Sequence, residues 1–376
     1  MKANNLTGAS ARTPGPLRIG LVGHGWWAQR YLLPPLLKAD GVTVAALCGR
    51  EAGRAAEAAE QNGIPASFVD VETMVSGVEL DAVVIASPPS SHLEAVTAAA
   101  TRGLHVFCEK PLARNAAETE QMVRACAGVR TMVGFTQRWH PAVSTLHRLV
   151  EGGEIGEVRH LRYVTRAALS GDPSAPWSWR YSEAEYSYGA LSDLGPHAVD
   201  LVRWLGGEIA AVSATARTVV AERPDEAGGY REVRNWDDAT VNLELDSGIG
   251  ASVTVSRVLP PSPYRRFHHE LDVLGTKGAI TFSSDRPTEV VLTRAGQDPV
   301  AVTADGIEAG SVQPGSFEEI MLIHRFGAAR QAADMLAWFG GEQQVAPPTM
   351  ADGHRGQQVL DLAARAVEAG GWLRCP

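Results

Sequence analysis

The chain has 376 residues, 45% of them hydrophobic and 20% charged, with a formal net charge of -9 at neutral pH. That length exceeds what one hydrophobic core usually supports, so two domains are expected, and the balance excludes a collagenous, disordered or disulfide-dense protein. The negative charge, with no basic block to gather phosphates, excludes nucleic acid as an expected partner, and no run reaches the roughly 20 apolar residues of a membrane helix.

Residues 1–16, MKANNLTGASARTPGP, lack the apolar stretch of a signal peptide and are expected to be a disordered tail. From Leu17 short apolar runs alternate with amphipathic stretches, the rhythm of a parallel sheet with crossover helices. Strands are predicted at Leu17–Val22, Val42–Leu47, Asp81–Ala86, Leu104–Cys108 and Thr131–Phe135. Helices are predicted at Trp26–Ala39, Arg54–Gln61, Val71–Val75, Ser91–Thr101 and Ala116–Ala127, which together make a doubly wound α/β domain over 17–140. After Pro141 the rhythm changes. A helix over His140–Val150 precedes strand-like runs such as Glu157–Arg166, Ala239–Leu245, Ile249–Val258, Glu270–Leu274 and Ala279–Phe282, joined by turns rather than helices. Residues 141–376 are therefore predicted to form an α+β domain with a large, mainly antiparallel sheet. Its closing helix follows Pro347-Pro348, carries Val359, Leu360, Leu362, Ala363 and Val367 on one face, and could pack back on the first domain. The four cysteines, Cys48, Cys108, Cys126 and Cys375, are far apart and form no CxxC pair, which suggests neither disulfides nor zinc and fits a reducing cytoplasm.

The first strand runs directly into Gly23-His24-Gly25-Trp26-Trp27-Ala28 and then a helix. In that setting Gly23 permits a tight turn, Gly25 lets backbone approach a pyrophosphate, and Ala28 allows close packing of helix on strand, the fingerprint of a dinucleotide-binding Rossmann unit. Without the flanking strand and helix the same glycines mark a plain βα turn. An NAD-preferring site places an acidic residue at the end of the second strand, where this chain has Gly49 followed by Arg50. The missing carboxylate and the guanidinium favour the 2′-phosphate of NADP, with NAD as the alternative; Arg50 also reads as a solvated surface residue.

Lysine is scarce, occurring only as Lys2, Lys38, Lys110 and Lys277, so Lys110 in Glu109-Lys110-Pro111, at the carboxyl edge of a strand, stands out. A lysine shielded beneath a nicotinamide can share a proton with a substrate oxygen, although the residue alone also fits a surface charge. In Asp193-Leu194-Gly195-Pro196-His197, Pro196 suits the first turn of a helix running toward Leu205, and the spacing brings Asp193 near His197. A carboxylate beside a histidine can set its tautomer for acid/base work, and the same pentapeptide also occurs as an Asp-capped helix with a structural histidine. Arg138, Trp179 and Arg180 are candidate substrate contacts. His268-His269 alternate across a strand and form no metal pair, so no metal is required.

Together the segments GLVGHGWWA, DAVVIASPPSSH, GLHVFCEKPLA, VGFTQRWHPA, GEIGEV, ALSDLGPHAVDL and LGTKGAITF resemble the Gfo/Idh/MocA family, the glucose-fructose oxidoreductase and inositol dehydrogenase group, over nearly the whole chain. The resemblance implies that Lys110 contacts the nicotinamide ribose and substrate, that Asp193 and His197 are the substrate-site aspartate and the acid/base histidine, and that Ser87, Pro88, His92 and Glu109 lie on the cofactor side. It further implies a homodimer or homotetramer built on the second domain's sheet. The usual Thr-Pro-Asn segment reads Ser87-Pro88-Pro89 here. The expected activity is hydride transfer between nicotinamide and a secondary alcohol or ketone of a sugar, polyol or related cyclic substrate. The alternatives are an imine or keto-sugar reductase of a biosynthetic pathway, and a cofactor-binding regulatory protein that has lost its chemistry, against which the complete set of Lys110, Asp193 and His197 argues.

Overall fold

The computed structural model describes residues 15–260, 267–307, 317–343 and 346–375, without the side chains of 317–323. The expected tail, apart from Gly15 and Pro16, lies outside the described residues. The chain forms two compact units, one of residues 1–134 with 328–354, the other of 135–327 with 355–376.

In the first unit the strands are β1 (Leu17–Val22), β2 (Val42–Cys48), β3 (Ser67–Phe68), β4 (Ala82–Ile85), β5 (His105–Cys108) and β6 (Thr131–Val133). They pair in parallel in the order β3-β2-β1-β4-β5-β6. Helices cover both faces of such a sheet, which is why β4 is buried along its whole length and reads as an unbroken apolar run. The strand order reverses between β1 and β4, the switch point at which α/β sheets open a ligand crevice beyond their carboxyl ends.

The helices are α1 (Leu33–Lys38), α2 (Ala52–Gln61), α3 (Val71–Gly77), α4 (His92–Thr101) and α5 (Ala116–Ala125). Asp70 caps α3 by accepting from the Thr73 N–H at 2.7 Å, and Asn115 caps α5 through the Glu118 N–H at 3.0 Å. The helix expected over Trp26–Ala39 is not regular. Ala28–Leu32 is a π-helical segment that leads into α1. Pro34 and Pro35 have no N–H to return to the carbonyls of Arg30 and Tyr31, so a regular hydrogen-bond ladder cannot continue through this stretch.

The second unit contains α6 (Pro141–Glu151), β7 (Val158–Ala167), α7 (Ala190–Gly206), β8 (Ile209–Arg217), β9 (Glu222–Pro224), β10 (Tyr230–Glu232), β11 (Asp238–Leu245), β12 (Gly250–Ser256), β13 (Phe267–Gly275), β14 (Gly278–Ser283), β15 (Glu289–Arg294) and β16 (Val300–Thr303). With β17 (Leu373–Arg374) it builds a nine-stranded sheet in the order β16-β15-β14-β13-β7-β12-β11-β8-β17, antiparallel throughout except where β7 lies parallel to β12. β9 and β10 pair separately as a short ribbon. Alternation decides which face is covered: Leu161, Tyr163, Val241, Leu243, Leu271 and Val273 join α6 and α7 in one core. The intervening Arg162, Glu270 and Asp272 form ion pairs on the opposite face.

Helices α8 (Phe317–Gly340) and α9 (Met350–Ala369) complete the chain. Residues 328–354 belong to the first unit, where the Trp338 indole donates to the Thr131 carbonyl at 3.2 Å and the Val133 N–H donates to the Pro348 carbonyl at 2.8 Å. Farther along α9, Val359, Leu360, Leu362 and Ala363 enter the core of the second unit. Among the described residues, no helix is long and apolar enough to cross a membrane.

Candidate active site

In the first unit the candidate residues follow the carboxyl ends of the strands. Gly23 follows β1 with φ 94°, and an added Cβ would lie 2.7 Å from the Ala86 backbone, so the turn requires glycine. Gly25 is exposed and a Cβ there would meet nothing within 4 Å, which leaves bare backbone open to an approaching phosphate. Ala28 is fully buried, as close packing of the following turn demands. Trp26 is 58% exposed, whereas Trp27 turns inward against buried Tyr31, their ring centroids 4.4 Å apart.

Beyond β2, a Cβ on Gly49 would sit 2.5 Å from Cδ2 of His24 and 2.6 Å from its Nε2. The imidazole therefore stands where a side chain on residue 49 would begin, and any residue larger than glycine there would have to displace that ring. Arg50 is exposed beside it. Beyond β4, Ser87 and Ser91 hydroxyls lie 2.7 Å apart, and Ser91 donates to the Pro88 carbonyl at 2.9 Å. His92 is 1% exposed, with Nε2 2.8 Å from the Ser87 carbonyl and Nδ1 3.1 Å from the Leu112 carbonyl, so it ties together the backbone segments after β4 and β5. These turns fit a dinucleotide: open backbone at Gly25 for a pyrophosphate, with His24, Gly49 and Arg50 for the adenosine end.

Beyond β5 the Lys110-Pro111 bond is cis. The buried Glu109 carboxyl accepts from the Trp27 indole N–H at 2.8 Å and from the Lys110 backbone N–H at 3.2 Å. Gly134, after β6, leaves the space, since a Cβ there would be 2.7 Å from the carboxyl carbon. Burial pushes the Glu109 carboxyl up to about 7, against the partial relief given by the Trp27 hydrogen bond and the Lys110 charge. A carboxyl that holds its proton more tightly when folded stabilises the protein below the ordinary value of 4.5, and that contribution is lost as pH rises toward 7. Buried His140 and half-buried His269 and His324 work in the opposite sense: desolvation lowers their values, so the stability they give above the ordinary 6.5 is lost on acidification. Glu109→Gln removes the compensating contribution, so its melting temperature should fall more steeply than that of the wild type between pH 7 and pH 4.5. Parallel curves in a calorimetric series would contradict this.

In the second unit, α7 begins after Gly189, whose φ is 57° and whose added Cβ would lie 2.1 Å from the Trp236 carbonyl oxygen. The Ala190 N–H donates to that oxygen at 2.7 Å, fixing where the helix starts. Asp193 falls in the first turn, a favourable end for a carboxylate, and is buried. His197 follows at i+4 on the same helix face, with Phe135 edge-on at 6.4 Å. Pro196 is not in the first turn as expected: the helix starts at Ala190 and contains Pro196, which has no N–H for the Ser192 carbonyl.

One turn beyond His197, Asp200 receives Nε and Nη2 of Arg138 at 2.7 and 2.6 Å. This bidentate pair is shielded by Trp204, which itself stacks on His147 at 3.6 Å. Trp179 stacks on Tyr186 at 5.4 Å, and the Arg180 guanidinium lies 4.4 Å from the Trp179 ring centroid. The Arg180 carbonyl accepts from Arg257 and from Asn235, both at 3.1 Å.

These anchors were not visible in the sequence. Arg223 and Arg257 flank Tyr181, 4.3 and 5.5 Å from its ring centroid, and are 0% and 1% exposed. Arg257 pairs with buried Asp237 at 3.4 Å, and Arg223 donates to the carbonyls of Ser170 and Asp172 at 2.5 and 2.7 Å. Arginines in or just beyond strands read as surface charge, and nothing in their spacing signals burial. Among the described residues no group of His, Cys, Asp or Glu side chains is arranged to hold a metal ion.

Residues 17–135 match the family described as "Oxidoreductase family, NAD-binding Rossmann fold", and residues 143–281 match "GFO/IDH/MocA C-terminal domain". The chain is 28% identical to a levoglucosan dehydrogenase of Pseudarthrobacter phenanthrenivorans over 391 residues, spanning 96% of this chain and 98% of that one. It is 30% identical to a myo-inositol 2-dehydrogenase of Thermotoga maritima over 280 residues, 74% of this chain and 78% of the relative. A solved levoglucosan dehydrogenase in complex with NADH and L-sorbose superimposes with a TM-score of 0.83 at 27% identity, covering 96% of this chain and 99% of that one.

Proposed function

The chain belongs to the Gfo/Idh/MocA family of oxidoreductases, and on that premise we propose that it is an NADP-preferring dehydrogenase that interconverts a secondary alcohol and a ketone on a sugar, polyol or related cyclic substrate. The observation that carries the reading is the placement of Asp193 and His197 one turn apart on one face at the start of α7. Relatives named for levoglucosan and myo-inositol support the substrate class.

Bound nicotinamide supplies the hydride acceptor or donor. His197 takes the hydroxyl proton during oxidation and returns it during reduction. Asp193 orients the imidazole and accepts a hydrogen bond from a substrate hydroxyl. The Lys110 ammonium stabilises the alkoxide as it develops. Trp179, Arg180 and Arg138 belong to the substrate side, Arg138 acting through its pair with Asp200 on α7. A homodimer or homotetramer is expected by sedimentation. Incubating the protein with sugars and polyols in the presence of NADP or NAD tests the activity directly. No change in nicotinamide absorbance with any of them would overturn it.

His24 and Arg50 support the NADP preference. The His24 ring stands where a side chain on residue 49 would begin, so no carboxylate there repels a 2′-phosphate. Arg50→Ala should therefore lower kcat/KM for NADP by about 10- to 100-fold, the worth of one charge-assisted hydrogen-bonded pair, and leave that for NAD nearly unchanged. Equal losses with both cofactors would refute the preference.

A further inference from the structure

We propose that Trp27 is a positioning residue for Lys110: its indole N–H holds the Glu109 carboxyl, Glu109 holds the Lys110 backbone N–H, and the glycine turn and the lysine loop thereby set each other's geometry. The inference rests on the dehydrogenase reading only in the role it gives Lys110. The contacts lie within the first unit, at 2.8 Å for Trp27 Nε1 to Oε1 and 3.2 Å for Lys110 N to Oε2. Three elements enclose the carboxyl. The turn after β1 brings Trp27 with Tyr31 behind it. The end of β5 brings Cys108, whose thiol burial pushes well above its ordinary value and keeps neutral, and Lys110, whose charge favours the carboxylate. The end of β6 brings Gly134, where any side chain would collide with the carboxyl.

The tie depends on the proton of Glu109. As a carboxylate it offers a full acceptor oxygen to each N–H donor. As a neutral acid one oxygen carries a proton and accepts weakly. Since burial brings the carboxyl to about 7, the strength of the tie changes across neutral pH, and removing the indole N–H shifts that change to higher pH.

The test replaces Trp27 by phenylalanine, which keeps an aromatic ring and deletes the donor. In cofactor-free protein labelled with ¹³C at the glutamate carboxyls, the resonance missing from Glu109→Gln should titrate, and in Trp27→Phe its midpoint should rise by about half to one pH unit, the effect of one hydrogen bond. In the cofactor-loaded enzyme, Trp27→Phe should lose turnover several-fold at pH 7 and recover much of it at pH 9, where Glu109 is ionised again. An unchanged midpoint, or a loss of turnover equal at both pH values, overturns the proposal. Should the variant not fold, the wild-type indole proton of Trp27 must shift with the same midpoint as the Glu109 carboxyl, and an indole that does not shift has the same consequence. A protein inactive on every sugar and polyol would remove the dehydrogenase reading and leave the titration to decide the Trp27 contact.

Discussion

His197→Ala should lower kcat by about 10²–10⁴-fold while the affinity for NADP changes little, because a positioned general acid/base contributes that much to proton transfer and nothing to holding a dinucleotide. Lys110→Met should show the same division, since the methionine keeps much of the side-chain volume and removes the ammonium. Fluorescence titration of the reduced cofactor separates binding from turnover. Full turnover in both variants would remove Lys110 and His197 from the chemistry. Asp193→Asn should resemble the histidine variant, as an amide can leave His197 in the wrong tautomer.

Arg257→Ala should destabilise the second unit by about 3–5 kcal/mol, because it leaves Asp237 as a buried carboxylate without its cation. Asp237 also accepts the backbone N–H groups of Val219 and Val220 at 3.1 and 3.0 Å, so the loss reaches the segment after β8. The Arg180 carbonyl loses a donor at the same time, which should raise KM for substrate through a looser Trp179-Arg180 segment. Denaturant unfolding measures the first effect and steady-state kinetics the second. A variant with wild-type stability would show that this buried pair contributes little.

The parts legible in the sequence were those governed by local chemistry. β1, β2, β4, β5 and β6 are apolar runs ended by turn residues, and a parallel sheet buried on both faces produces that signal. Gly23 announced itself because few other backbones fit the turn it makes. β3 has two residues, Ser67 and Phe68, too few for any periodicity to register. β8 reads IAAVSATAR, and its alanines suit a helix as well as a strand, so only pairing with β11 decides. The irregular turn at Ala28–Leu32 hid because the apolar spacing of a helix persists there while Pro34 and Pro35 remove its donors. Within the candidate site, the spacing of Asp193 and His197 suggested one helix face, and α7 carries both residues four apart. Trp27 and Glu109 stand 82 residues apart, and Arg257 and Asp237 20 apart; no sequence rule joins them.

The chain passes from one unit to the other at Gly134, at Gly327 and at His354, so neither unit is a single stretch of polypeptide. A gene fragment ending at codon 134 would encode all six parallel strands yet lack Trp338, Pro348 and His354, which bond to Thr131, Val133 and Thr119. Shuffling of the nucleotide-binding half onto another substrate half therefore requires at least three coordinated joins, an arrangement that favours inheritance of the two halves together and diversification by point changes in loops.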